Sequence, residues 1–334
     1  MTETAQILEA FDARVERRNG RRDMFKAMLG VAAVGGTFAL SSRASAQTIT
    51  DNDILNFALN LEYLEAQFYS YAANDRGLAA NLQTGVTTSG AQGGLFTPTG
   101  ATPARKVTFS DPVVSAYAQE IAADEIAHVA FLRSALSSAA VAQPLLNLSG
   151  GAGSAFAAAA TAAGVPNGST FDPYVDDNSF LLGAFIFEDV GVTAYKGAAP
   201  LITNPTFLEA AAGILAAEAY HAAIVRTSLY GRGVTVPALR TITEQISTAR
   251  DSLDGTSDLD QGIAAQTVTP TNLATTQGAV TASNIVPLDP NGIAYSRSPS
   301  QVLHIVYLNA GASTGGGFFP NGVNGTIRAA VANS

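Results

Sequence analysis

The sequence contains no cysteine, which excludes disulfides, thiolate metal ligands, cysteine nucleophiles and a lipid-modified cysteine. It also lacks tryptophan, has only three histidines, and is only 13% charged. Any metal site must therefore use carboxylate and imidazole groups. A hydrophobic content of 47% is too high for a disordered chain and indicates an extensive buried core.

Basic residues are also scarce. The chain has 18 Lys and Arg against 27 Asp and Glu, a formal net charge of −9. No basic run occurs in the body of the chain, so we expect no nucleic-acid partner.

The first 46 residues have the features of an export signal. Residues 21–26 (RRDMFK) resemble the twin-arginine motif, and an apolar stretch at 27–40 and an A-x-A cleavage site at 44–46 follow. The alternatives are an amphipathic helix or a membrane anchor. The apolar run is short and its side chains are small, which argues against a membrane span. We therefore expect recognition by the twin-arginine export machinery, no stable membrane span after processing, and a periplasmic or extracellular location.

The rest of the chain carries four long helical patterns, which begin at capping residues followed in two cases by proline. These patterns cover about 51–74, 111–138, 178–198 and 204–231. The Ala- and Gly-rich segment 140–175 is predicted to be a long crossover between the second and third helices.

The chain after the fourth helix has a different character. A fifth, amphipathic helix is predicted over 237–253 and a short one after Pro299, within a tail rich in Thr, Asn, Gly and Pro. The tail is too apolar in places to be free, so we expect it to wrap the bundle. The predicted divisions are a signal at 1–46, a four-helix bundle at 47–235, and an added helix with a C-terminal tail at 236–334.

An internal repeat marks the four long helices. A shift of 126 residues places Glu62 on Glu188 and Tyr69 on Tyr195. A shift of 93 residues places the Glu-x-x-His motif of the second helix on the one in the fourth. The order along the chain is therefore Glu, Glu-x-x-His, Glu, Glu-x-x-His, one motif per helix.

The repeated residues predict a metal centre. A spacing of three puts the Glu and His of each motif on one helical face, where both reach a common ion. Each glutamate lies on an apolar stripe, where an unpaired carboxylate is costly. The six candidate ligands are Glu62, Glu125, His128, Glu188, Glu218 and His221. The alternative is a set of buried polar residues that pair with one another without metal.

Four further residues are candidates to support these ligands. Glu65 lies one turn from Glu62 and is either the first-helix ligand instead of Glu62 or an additional ligand. Its repeat counterpart is Gly191, which favours Glu62 as the ligand. Asp124 is placed to hydrogen-bond the unliganded nitrogen of a histidine, or is an ordinary surface aspartate. Tyr69 and Tyr195 either orient ligands and take part in redox steps or are core residues with satisfied hydroxyls.

At this point the chain resembles the ferritin-like superfamily, and within it the bacterial and plant desiccation-related proteins. The matching residues are LNLEYLEAQFY at 59–69, both Glu-x-x-His motifs and GGFFPNG at 316–322. The resemblance covers most of residues 51–325 and implies an all-α, up-down-down-up four-helix bundle with one long crossover and a di-iron or di-manganese centre. Without cysteine there is no rubredoxin-type iron site, and the long loops and tail argue against a storage shell.

The expected cofactor is therefore two iron or manganese ions. Glu62 and Glu188 would be terminal ligands, Glu125 and Glu218 would bridge, and His128 and His221 would complete each ion. Such a centre suits an oxidoreductase that acts on peroxide or dioxygen, as a catalase, a peroxidase or a ferrous oxidase. A non-catalytic stress protein that protects other molecules or sequesters metal is the alternative. A homo-oligomer is compatible with the sequence.

Overall fold

The computed structural model describes residues 49–88 and 92–332, so the predicted export signal at 1–46 lies outside the described residues. The described part contains seven α-helices and one two-stranded sheet. The helices are α1 (Asp51–Asn74), α2 (Pro112–Leu136), α3 (Ala155–Ala162), α4 (Asp177–Ala198), α5 (Pro205–Arg232), α6 (Ala238–Asp254) and α7 (Pro299–Val306). The strands β1 (Gln266–Val268) and β2 (Val280–Ala282) pair antiparallel, with Gln266 opposite Ala282.

Local sequence sets where the long helices begin. Thr50 and Asp53 form a reciprocal capping box at the start of α1. Asp111 caps α2 and Asn204 caps α5, and in both helices proline occupies the first turn, where its missing N–H costs nothing.

The four long helices form two antiparallel pairs. Helix α1 packs along α2 and α4 packs along α5, while α1 faces α4 and α2 faces α5. Most residues of α1 and α4 are buried, whereas α2 and α5 bury one face each. This arrangement confirms the predicted all-α bundle and turns the four motif-bearing faces toward one another.

The crossover between α2 and α4 contains a helix that the sequence analysis missed. Ser154 caps α3. The helix is rich in alanine, which has the highest helix propensity of any residue type. Phe156 of α3 is fully buried and its ring lies 5.5 Å from Phe68 of α1 and 5.6 Å from Phe187 of α4. The short helix therefore covers the side of the bundle where α1 and α4 meet.

The C-terminal segment also packs on α4. Helices α6 and α7 contact each other and both contact α4. Farther on, Asn60 of α1 and Asn324 form two hydrogen bonds, 2.8 Å and 2.9 Å long, through side chain and backbone. The described residues from 49 onward cluster as one compact unit, which includes the bundle and the tail.

Among the described residues, helix α5 is the single one with the length and apolar composition of a membrane span. A third of its most apolar stretch (33%) is buried inside the protein.

Candidate metal centre

Six side chains from four helices converge at mid-height of the bundle. Glu62 comes from α1, Glu125 and His128 from α2, Glu188 from α4, and Glu218 and His221 from α5. All four carboxylates are at most 1% exposed. The structure thus brings together the six residues that the repeat singled out.

The candidate ligand atoms form two groups, and glutamates from α2 and α5 face both of them. One group consists of Glu62, Glu125, His128 and Glu218, and the other of Glu188, Glu218 and His221. Within each group the ligand atoms lie within 4.8 Å of one another. Glu218 belongs to both groups. Glu125 also faces both histidines, with one oxygen 3.5 Å from Nδ1 of His128 and the other 3.0 Å from Nδ1 of His221.

Within the part of the chain that the structure describes, the atoms that face the centre make no well-formed hydrogen bond, although the Nδ1 atoms of His128 and His221 lie 3.2 Å and 3.0 Å from carboxylate oxygens of Glu62 and Glu125. Eight such atoms are buried here, namely Glu62 Oε2, both oxygens of Glu125, His128 Nδ1, Glu188 Oε2, both oxygens of Glu218 and His221 Nδ1. Buried polar atoms nearly always have a hydrogen-bond partner. Eight buried atoms that point at one place without a well-formed hydrogen bond therefore require an explanation. Metal ions that accept oxygen and nitrogen ligands would satisfy all of them, and the residues therefore fit a pair of such ions.

The two repeated tyrosines hold the outer oxygens of the terminal carboxylates. The hydroxyl of Tyr69 on α1 donates to Glu188 Oε1 on α4, and that of Tyr195 on α4 donates to Glu62 Oε1 on α1. Burial, followed by the charge of the bonded glutamate, raises the pKa of both phenols well above the usual value, so they stay protonated donors. Each phenol thereby leaves one oxygen of its glutamate directed at the centre.

The two histidines differ in their outer partners. Nε2 of His221 lies 3.2 Å from Asp124 Oδ2, while its Nδ1 faces the centre. The repeat counterpart of Asp124 is Ala217, so His128 has no equivalent carboxylate. Aspartate in this position orients the imidazole and raises its basicity.

Glu65 is a fifth carboxylate at the edge of the centre. It is 5% exposed, and the charges that act on it are those of Glu125, Glu188 and Glu62. Gly191 of α4 lies beside it, since a Cβ on this glycine would stand 3.5 Å from Glu65 Oε1 and 2.2 Å from Glu218 Oε2. The sequence analysis noted Gly191 as the counterpart of Glu65 but missed its role in leaving space, which a glycine inside a helix could have suggested.

Proton affinities in the cluster are strongly perturbed. Burial raises the pKa of Glu62 to about 7 and that of Glu188 to about 8, with the charge of Glu125 adding to both. Burial disfavours the charged histidines, yet their glutamate neighbours outweigh it and raise the pKa of His128 to about 10 and of His221 to about 9. Burial likewise opposes ionisation of Glu125, but the two imidazoles lower its pKa to about 2.

Comparison with known families fits this geometry. The model of the ferritin-like domain family matches residues 50–231, which hold all six ligand candidates and more than half of the chain. The chain belongs to the ferritin-like family. The resemblance drawn from the sequence motifs is thereby confirmed.

Two relatives of this ferritin-like chain extend over most of its length. It is 32% identical to the ferritin-like catalase Nec2 of Nesocodon mauritianus over 283 residues, which cover 83% of the chain and 84% of the relative. It is 30% identical to the desiccation-related protein PCC13-62 of Craterostigma plantagineum over 263 residues, 76% of each protein. Both matches continue beyond the ferritin-like domain into the tail. No solved structure shows a significant match.

Proposed function

We propose that this protein is an exported di-metal enzyme that disproportionates hydrogen peroxide, two molecules of peroxide giving two of water and one of dioxygen. The observation that carries the proposal is the set of eight buried ligand atoms that converge without a well-formed hydrogen bond, which fits two iron or manganese ions. The similarity to a relative named as a catalase supports peroxide as the substrate.

The protein's own residues have distinct tasks in this proposal. A bound iron or manganese pair supplies the electron transfer to and from peroxide. Glu125 and Glu218 would hold both ions, because their oxygens face both ligand groups. Tyr69 and Tyr195 fix the terminal carboxylates by their hydrogen bonds. The apolar packing of α1 and α4 keeps bulk water away from the reacting atoms.

Export through the twin-arginine route is the second part of the proposal, and it rests on residues 21–46. This route carries folded proteins, so the metal centre would form before export. Replacement of Arg21 and Arg22 by lysine should retain the protein in the cytoplasm with its signal uncleaved. Fractionation of cells tests this, and periplasmic protein from the double variant would contradict the proposed route.

A non-catalytic role in protection against drying or oxidation is the second candidate. The similarity to a relative named as desiccation-related favours it. In this case the metal would only stabilise the bundle or be sequestered by it.

Oxygen evolution from hydrogen peroxide separates the two candidates. The mature protein, loaded with manganese or iron, should release one dioxygen for every two peroxide molecules consumed. Glu218→Gln removes a carboxylate shared by both ligand groups and should abolish turnover, whereas Glu209→Gln on the exposed face of α5 should leave it unchanged. A loaded, folded protein without turnover would favour the protective role.

A further inference from the structure

A small cavity, the inner cavity, lies against the candidate metal centre on the side where α1 and α4 meet. It has a volume of about 20 Å³, room for about one water molecule, and its lining includes Glu65, Ile186 and Gly191. Gly191 keeps it open toward the centre, because a Cβ on this glycine would stand 2.2 Å from Oε2 of Glu218, one of the converging ligand atoms. A small molecule in the inner cavity therefore lies next to the ligand cluster.

The two histidines close the opposite side of the centre. His128 comes from α2 and His221 from α5, and their side chains are 12% and 3% exposed. A molecule that approached from this side would have to pass the imidazoles, which are themselves candidate ligands. The side that carries the inner cavity has no such obstacle.

A second space, the outer cavity, adjoins the inner one. It measures about 50 Å³ and lies among α3, α4, α6 and α7. Ile186 of α4 lines both cavities, so its side chain separates them. The wall of the outer cavity is apolar except for Arg250, whose buried Nε has no hydrogen-bond partner in the described part of the chain. This N–H is free to donate to an oxygen atom of a small molecule.

The outer cavity in turn adjoins a surface groove of about 430 Å³ between α3 and α6. The groove and the outer cavity share three lining residues, Ala162, Ala163 and Ala249. The mouth between the two spaces is thus bounded by methyl groups, of which that of Ala162 is exposed and the other two are half-buried. Groove, outer cavity and inner cavity therefore form a row that begins at the surface and ends at Glu218.

We propose that this row is the path by which hydrogen peroxide reaches the metal centre, with Ile186 as the residue that limits the size of what passes. The inference rests on the proposed function and names the route of its substrate. Peroxide fits the path because it is small and both accepts and donates hydrogen bonds, from Arg250 in the outer cavity and to Glu65 in the inner one. A change of rotamer at Ile186 joins the two cavities, a motion that packed side chains undergo.

Two variants narrow the mouth from different helices. Ala249→Leu on α6 and Ala162→Leu at the end of α3 each place a larger apolar side chain where the groove meets the outer cavity. Both positions are at least partly exposed, so both variants should fold. Ala212→Leu makes the same change on the exposed face of α5, a helix that lines none of the three spaces, and is the matched control.

The first readout is turnover of the manganese-loaded protein. In each mouth variant kcat/KM for hydrogen peroxide should fall about tenfold, as expected for an entry barrier raised by about 1.4 kcal/mol, while the Mn²⁺ content stays that of the native protein. Ala212→Leu should match the native protein in both.

The second readout needs neither metal nor activity. In crystals of the metal-free protein under xenon pressure, xenon should occupy the outer cavity, because apolar cavities take it up. Ala249→Leu should exclude it. Ile186→Ala should join the two cavities, so that xenon also appears beside Gly191.

The outcomes separate the two proposals. Native protein that binds manganese and consumes no peroxide would overturn the proposed function, and the peroxide path with it. Full turnover in both mouth variants would overturn the path alone, as would native crystals without xenon in the outer cavity. An equal loss of turnover in Ala212→Leu would show that the effect does not arise at the mouth, and would also contradict the path. Xenon that stays in the outer cavity of Ile186→Ala would contradict the role of Ile186.

Discussion

Tyr195 donates its hydroxyl hydrogen bond to Glu62, which lies on a different helix of the bundle. The reciprocal bond runs from Tyr69 to Glu188, so each tyrosine serves the glutamate of the other repeat. The two bonds join α1 to α4 and fix one oxygen of each terminal carboxylate. The other oxygen of Glu62 then lies 3.2 Å from Nδ1 of His128, inside the cluster.

Replacing Tyr195 by phenylalanine should weaken metal binding roughly tenfold to a hundredfold, because the Glu62 carboxylate loses the group that orients it. Tyr69→Phe should have a similar effect through Glu188. Calorimetric titration with Mn²⁺ measures both. Tyr63→Phe is the matched control, since Tyr63 is also fully buried on α1 but donates to the backbone of Val141, outside the cluster. Equal affinities in all three variants would contradict an orienting role for the phenols.

Metal binding should release protons, because ligand atoms bind metal only when deprotonated. With pKa values of about 10 and about 9, His128 and His221 hold protons at pH 7 in the metal-free protein, and Glu188, at about 8, holds most of one. Glu62, at about 7, holds about half of one, so we expect release of about three protons or more at pH 7 and an affinity that rises with pH. Titrations in buffers of different ionisation enthalpy give the number, and His128→Ala should release about one fewer.

The stability of the metal-free protein should fall as the pH rises from about 5 to 9. Glu62 and Glu188 have folded-state pKa values of about 7 and about 8 against 4.5, and both histidines lie above 6.5. Across this range the folded state therefore holds more protons than the unfolded state, and each unit of pH lowers the free energy of unfolding.

Below this range the trend should reverse. The pKa of Glu125 is lowered from 4.5 to about 2, so its contribution is lost as the pH falls through that interval. Thermal unfolding of the chelated protein should show a decrease of several degrees Celsius between pH 5 and pH 9, since about 1 kcal/mol corresponds to about 2–4 °C for 150–250 residues and to less in a longer chain. A melting temperature that rises over this range would contradict the buried carboxylate cluster.

The tail is joined to the bundle by a buried ion network, which gives a prediction about stability. Arg250 of α6 bonds both Asp189, next to a candidate ligand on α4, and Asp260 of the tail. Arg297 bonds Asp260 at 2.7 Å and Asp254 at 2.6 Å. All five side chains are at most 5% exposed.

Arg250→Met leaves carboxylates buried without their full set of partners and should lower the free energy of unfolding by roughly 3–5 kcal/mol. Urea denaturation measures the loss. Arg76→Met removes an exposed arginine just after α1 and should change stability by less than about 1 kcal/mol. Similar small effects in both variants would show that the network does not stabilise the fold.

Helix positions and candidate ligands could be predicted from sequence because each has a local signal. The predicted bounds of α1, about 51–74, agree with the structure, although the N-cap is Thr50 and the C-cap is Asp75, which the sequence analysis did not single out. Glu62 and Glu188 were identified through the repeat, which pairs each with a tyrosine seven residues later. The repeat could not show that the tyrosines exchange partners across the bundle, because this depends on how α1 and α4 face each other.

Features that depend on distant segments could not be read from the chain. Helix α3 was missed because its eight residues show no amphipathic period and its burial comes from Phe156 packing on two other helices. Arg226 is 1% exposed and bonds Asp189 and four backbone carbonyls of the tail. Nothing near Arg226 in sequence indicates that residues 261–285 fold over it.

Metal content, measured by plasma mass spectrometry on protein matured through its own export pathway, tests the central claim most directly. The account predicts about two iron or manganese ions per chain, as in other di-metal carboxylate bundles. Glu125→Gln and Glu218→Gln should lose them, because these residues face both ligand groups. A folded protein that carries no transition metal, even after incubation with Fe²⁺ or Mn²⁺, would contradict the di-metal centre.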